Sequence, residues 1–87
     1  MRALFVTGQF TKDFQKIPDG MHDTVDWVTQ MLRKNPLDKT LTTRKLHGMS
    51  DNVWRVRIGI YRLVYIFDKT SITLLRIRHR KDVYKHI

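Results

Sequence analysis

The stretch from Trp54 to Arg78, WRVRIGIYRLVYIFDKTSITLLRIR, decides the fold. Branched and aromatic residues crowd Trp54–Ile58, Tyr61–Phe67 and Ile72–Arg78, as residues of a pleated, half-buried surface do. Gly59-Ile60 turns the first run into the second, and Asp68 to Ser71 turns the second into the third. Period-two alternation then sorts the side chains between two faces. Trp54, Val56 and Ile58 oppose Arg55 and Arg57, and Tyr61, Leu63, Tyr65 and Phe67 oppose Arg62, Val64 and Ile66. In the third run Thr73, Leu75 and Ile77 oppose Leu74, Arg76 and Arg78. With helices over the aromatic face, five arginines (Arg55, Arg57, Arg62, Arg76 and Arg78) line the open one. An antiparallel sheet can carry charge simply to face water. Lysine and glutamate would serve that purpose equally well, yet these strands carry arginine alone, whose planar fork suits bidentate phosphate contacts.

Toward the N-terminus, residues 2–7 read as a short apolar strand. Phe10, Phe14 and Ile17 form the stripe of a short helix that Pro18 stops. Asp19 is placed to N-cap a second helix with the stripe Met21, Val25, Val28 and Leu32, ended by Asn35-Pro36. Residues 37–53 read as a loop, because Leu37, Leu41 and Leu46 are too sparse for a helix and Gly48 to Asn52 is a turn cluster. Loops of that length in a small domain are often functional. The expected fold is α+β: an N-terminal strand and a helical hairpin packed on a mainly antiparallel four-stranded sheet, one domain over residues 1–87.

Charge is the strongest global signal. Seventeen Lys and Arg against eight acids give +9, and all eight acids are aspartate. Residues 1–43 carry net +1 and residues 44–87 net +8. Such a field attracts polyanions, phosphate above all, although solubility or an acidic protein partner would also be served by it. With no cysteine in the chain, disulfides and thiolate metal sites are excluded, and a cytoplasmic location is the simpler expectation. MRALFVTGQF is too short an apolar run for a signal peptide, and no segment approaches the length of a membrane span.

Four motifs carry a resemblance to a known family. Lys45-Leu46-His47-Gly48, Trp54-Arg-Val-Arg-Ile-Gly59, Tyr61-Arg-Leu-Val-Tyr65 and His79-Arg-Lys-Asp-Val-Tyr84 resemble, in order and spacing, the RelE branch of the RelE/ParE toxin superfamily. Over residues 1–36 the likeness rests only on the strand and helical hairpin. The resemblance implies a RelE-like compact fold and metal-independent mRNA cleavage in the ribosomal A site, with no cofactor. It also implies inhibition by a cognate antitoxin that is RelB-like, acidic and partly disordered. Catalytic positions carry over onto Arg55, Arg57, Arg62, Arg80 and Tyr84, with Arg78 a substitute for Arg80 because spacing varies there. Some relatives have lysine at the Arg55 and Arg57 positions and use one as general base. Arginine, with a pKa above ~12, is a poor base, so here the pair is expected to clamp phosphate. Relatives with a glutamate base are no guide, since this chain has none.

Metal-free RNA cleavage needs an aligned 2′-hydroxyl, charge balance on the phosphorane and a proton for the leaving 5′-oxygen. Arg62 and Arg80 are candidates for the charge, and Tyr84 for stacking on a base or orienting the hydroxyl. Lys45, Arg76, Arg78, His79 and Lys81 are expected to contact RNA. His79 has an intrinsic pKa near ~6.5 that suits proton transfer, yet its parity with Leu75 and Ile77 equally suits a packed residue. His47 is a weaker candidate, and His22 and His86 lack context. The histidines and aspartates show no paired metal-ligand spacing. Asp82, among Arg80, Lys81 and Lys85, is expected to pair locally, and Trp27 and Trp54 to belong to the core. Two other functions stay open: a ParE-like DNA gyrase inhibitor, which shares the central Tyr-Arg-Leu-Val-Tyr strand, and a catalytically inactive nucleic-acid-binding relative. Arg80 and Tyr84, with Arg55 and Arg57, favour RNA cleavage.

Overall fold

Thr7 is where the chain turns from strand to helix: its hydroxyl oxygen accepts from the Phe10 N–H at 3.0 Å and its hydroxyl donates to the Leu75 carbonyl at 2.7 Å. The computed structural model describes residues 1–46, 48 and 52–83, so the expectations for His47, Tyr84 and His86 lie outside the described residues. Strand β1 (Ala3–Val6) leads into α1 (Gly8–Lys16). A 3-10 turn (Asp19–Met21) precedes α2 (His22–Lys34). Then come β2 (Thr43–Lys45), β3 (Val53–Ile58), β4 (Tyr61–Phe67) and β5 (Ser71–His79). The sheet order is β1-β5-β4-β3-β2, with β1 parallel to β5 and every other pair antiparallel.

The expected α+β architecture is present, with five strands in place of four. The added strand, β2, falls in the segment read as loop. Thr43-Arg44-Lys45 has no apolar residue and is too short to show alternation; its pairing with β3, Thr43 opposite Val56 and Lys45 opposite Trp54, defines it. The second helix also starts differently. Asp19 opens a 3-10 turn, and Met21 occupies the N-cap of α2 with no side-chain bond. The end of α1 follows expectation: Ile17, before Pro18, adopts extended φ/ψ of −79° and 153° because the proline ring disfavours helix there.

Val25, Val28 and Leu32 of α2 and Phe10 and Ile17 of the first helical segment pack on Val56, Ile58, Leu63, Tyr65, Ile72, Leu74 and Ile77 of the sheet. Tyr65 is wholly buried, and its hydroxyl donates to the Pro36 carbonyl at 2.6 Å, with burial pushing its pKa up. Trp54 is half-buried against this core, whereas Trp27, expected inside, is 58 % exposed on α2.

One irregularity changes the faces. Along β4 and β5, Val64 opposes Arg76 and Tyr65 opposes Leu74, so Leu75 is an extra residue, a β-bulge. An extra residue reverses alternation beyond it. Leu74 joins the main core, while Leu75 packs with Val53, Val64, Ile66 and Val83 in a second cluster. The expectation that Leu74 shares a face with Arg76 and Arg78 is therefore corrected: Leu74 turns to the main core, while Val64 opposite Arg76 and Arg62 opposite Arg78 keep the two arginines on one face. Arg76 reaches α1, where Nε and Nη2 donate to the Asp13 carboxylate at 2.8 and 3.0 Å. The same carboxylate accepts from the Ile77 N–H at 3.2 Å, next to the bulge. Among the described residues, no helix is long and apolar enough to cross a membrane.

Candidate nucleic-acid interface

The face of the sheet away from the main core carries a row of arginines. Arg57 of β3 lies directly opposite Arg62 of β4, and Arg62 directly opposite Arg78 of β5. Like charges at directly opposed positions destabilise a sheet, so the row has an electrostatic cost that an anion would remove. Beside it Arg44 opposes Arg55. Arg44 is exposed, whereas Arg55 is only 7 % exposed with Nη1 3.5 Å from the Thr42 carbonyl. Arg62 is folded toward the β3–β4 turn, its Nη1 donating to the Gly59 and Tyr61 carbonyls at 2.9 and 3.0 Å. Gly59 makes that turn possible with a φ of +61°, a conformation L side chains rarely adopt.

Arg80 joins the same end of the sheet, because its N–H donates to the Ile60 carbonyl at 2.8 Å. The chain then folds back: the Asp82 and Val83 N–H groups both donate to the His79 carbonyl, and Val83 is buried against Val53 and Val64. The arginine row thus borders an apolar patch on one face. His79 lies opposite Tyr61, with the rings edge-on at 6.3 Å. Its Nδ1 accepts from the Lys81 N–H at 3.1 Å, which leaves Nε2 as the ring nitrogen not engaged by that bond. Its expected parity holds with Ile77 and fails with Leu75, beyond the bulge.

Of the residues expected at the site, Arg57, Arg62 and Arg78 stand in one row, Arg80 lies at its end, and Arg55 sits largely covered beside it. Lys45 is in register with Trp54, which packs on the helix side, so it is not brought to the arginine face. Arg76 is withdrawn to Asp13, and Lys81 is exposed beyond β5. Sequence reading missed Arg44, on a strand too short to recognise. It also missed Asp13, although an acid between Phe10, Phe14 and Ile17 on an apolar helical stripe was a signal for a buried partner. Among the described residues no group of three or more His or Asp could hold a metal ion.

Comparison with known proteins agrees with this fold. The family model for the ParE toxin of type II toxin–antitoxin systems matches residues 4–84. The chain is 32% identical over 78 residues to the candidate toxin RelE1 of Methanocaldococcus jannaschii, covering 86% of each chain. It is 28% identical over 88 residues to toxin RelE3 of the same organism, covering 99% of this chain and 98% of that one. Its fold is that of RelE in the RelB–RelE complex from Methanococcus jannaschii, with a TM-score of 0.79, 23% identity and coverage of 95% and 98%. Matched along nearly its whole length, and sharing sequence with RelE toxins in particular, the chain belongs to the RelE/ParE superfamily of type II toxins, on its RelE-like branch.

Proposed function

We propose that the protein is a ribosome-dependent endoribonuclease that cleaves mRNA by attack of a 2′-hydroxyl on the adjacent phosphate and so inhibits translation. The observation that carries this reading is the row Arg57–Arg62–Arg78, three guanidinium groups at directly opposed positions. A phosphorane bears more negative charge than the phosphodiester it comes from, so fixed cations that repel one another in the free protein favour the transition state over the ground state. Arg62, with Arg80 at the turn end, supplies charge balance. Arg57 and Arg78 hold the flanking phosphate oxygens, and Arg55 adds its field from a covered position. Tyr84, following the buried Val83, is assigned to the substrate base or the attacking hydroxyl. The antitoxin is proposed to be RelB-like, as in the complexes of the archaeal relatives, with an acidic segment that neutralises the same row. Cytoplasmic action follows from this target.

The test is a reconstituted translation reaction with a defined mRNA, mapped by primer extension. New 5′ ends at the A-site codon are expected, absent without ribosomes and absent with Arg62→Ala. The ParE description of the matching family model favours a second reading, gyrase inhibition. No cleavage by folded protein together with loss of DNA supercoiling activity would establish it instead.

A further inference from the structure

Beyond Leu74, β5 has no strand beside it on the β1 side, since β1 pairs only with Ser71–Leu74. Helix α1 runs along that free edge, and between the two lies a cavity of about 140 Å³ lined by Asp13, Lys16, Tyr61, Arg76, Arg78 and His79 among others. Three cations and one carboxylate face it, and the carboxylate is already consumed by Arg76. Among the described residues, neither the Lys16 nor the Arg78 side chain has a hydrogen-bonded or ionic partner. The ring of His79 is turned by its Nδ1 bond to Lys81 so that Nε2 is the nitrogen left for a ligand.

We propose that this cleft is a second phosphate-binding subsite, which holds the backbone phosphate of a nucleotide next to the one bound at the arginine row. This rests on the RNA-cleaving reading and deepens it. The charge of the lining decides the ligand: Lys16 and Arg78, beside an Arg76 already paired with Asp13, suit an anion such as one phosphate group. Arg78 is shared. Its register puts it in the row with Arg62, yet it also lines the cleft, so one strand of RNA passing over the free end of β5 would meet both sites. Lys16, which sequence reading did not single out, provides the ammonium from the last turn of α1. Asp13 positions the wall by fixing Arg76 and the Ile77 N–H.

Binding of a 2′-O-methyl RNA oligonucleotide, which cannot be cleaved, tests the subsite apart from catalysis. Affinity is measured against salt for wild type, Lys16→Gln, Arg57→Gln and Lys69→Gln, the last in the distant β4–β5 turn. For single strands the slope of log K against log salt falls by about 0.7 for each phosphate the protein no longer neutralises. Lys16→Gln and Arg57→Gln are each expected to show that reduction and Lys69→Gln none. An unchanged slope with Lys16→Gln beside a reduced slope with Arg57→Gln overturns the subsite and leaves the RNA interface standing. A reduced slope with Lys16→Gln and no cleavage on ribosomes sinks the enzymatic reading and keeps the subsite. Titration with inorganic phosphate, followed at the His79 ring by NMR, separates a general phosphate site from an RNA-specific one. A shift in wild type that Lys16→Gln abolishes supports the cleft. No shift, with no slope change, removes it.

Discussion

Arg57 faces Arg62 across β3 and β4 with no acid between them in the register, and such a placement has opposite consequences for stability and for binding. Opposed like charges cost a sheet about 0.2–1 kcal/mol. Arg57→Gln removes one such opposition while keeping a long polar side chain. The variant is expected to unfold at a slightly higher urea concentration than wild type, yet to bind RNA less tightly and cleave more slowly. Wild-type stability with impaired binding would mean that the guanidinium groups are already well screened by water. Lower stability would show that Arg57 makes a structural contribution its exposed position does not suggest. Arg62 is a poorer probe, because it also bonds the Gly59 and Tyr61 carbonyls and its removal disturbs the turn.

At the scale of elements, α1 is tied to β5 by one carboxylate. Asp13 is 7 % exposed and takes both the Arg76 guanidinium and the Ile77 N–H. Removing one member of a buried pair costs about 3–5 kcal/mol; Arg76 keeps some contact with water, so Asp13→Ala is expected to cost about 2–4 kcal/mol by urea denaturation. Adding Arg76→Met should recover much of that deficit, because no charge is then left without a partner. If it does not, the Ile77 N–H is the more important of the two bonds. The β4–β5 turn offers a pH test. Asp68 accepts from the Thr70 and Ser71 N–H groups, and these bonds hold its carboxyl below the ordinary value of 3.8. Because folding favours the carboxylate, its support is full above that value and is lost as pH falls through the lower folded one. The Thr70 and Ser71 amide resonances should move together with a midpoint below 3.8; a midpoint at or above it would show that the bonds do not hold the carboxylate in solution. These same elements show what a sequence can reveal. Strands β3 to β5 and their turns were legible because branched and aromatic residues mark them. Strand β2 was not, since three polar residues depend on a partner strand, and the bulge at Leu75 was hidden because Leu74-Leu75 satisfies either parity. That one residue turned Leu74 away from Arg76 and Arg78, and the ion pair with Asp13, not the bulge, withdraws Arg76 from the expected five-arginine face.

For the molecule as a whole, a net charge of +9 on 87 residues is self-repulsion, and its concentration after residue 43 makes the repulsion local. The Debye length shrinks from about 30 Å at 0.01 M salt to about 8 Å at 0.15 M, while the chain measures 31 × 29 × 25 Å. At low salt every cation therefore interacts with nearly every other, and at physiological salt only neighbours do. Sodium chloride is expected to raise the melting temperature over this range by several degrees, since about 1 kcal/mol corresponds to roughly 4–8 °C in a domain of this size. Phosphate at equal ionic strength should raise it further, because an anion that binds the folded state alone adds stabilisation by mass action. Equal effects of the two salts would mean that screening acts without site binding, and the arginine row would then be a diffuse field. A melting temperature that falls with salt would mean that attraction outweighs repulsion in the folded chain, with Asp13 and Arg76 the first pair to examine. Because phosphate also stabilises folded chains by exclusion from their surface, the part of its excess over chloride that is lost in Lys16→Gln and in Arg57→Gln is the quantity that separates a built anion site from mere charge.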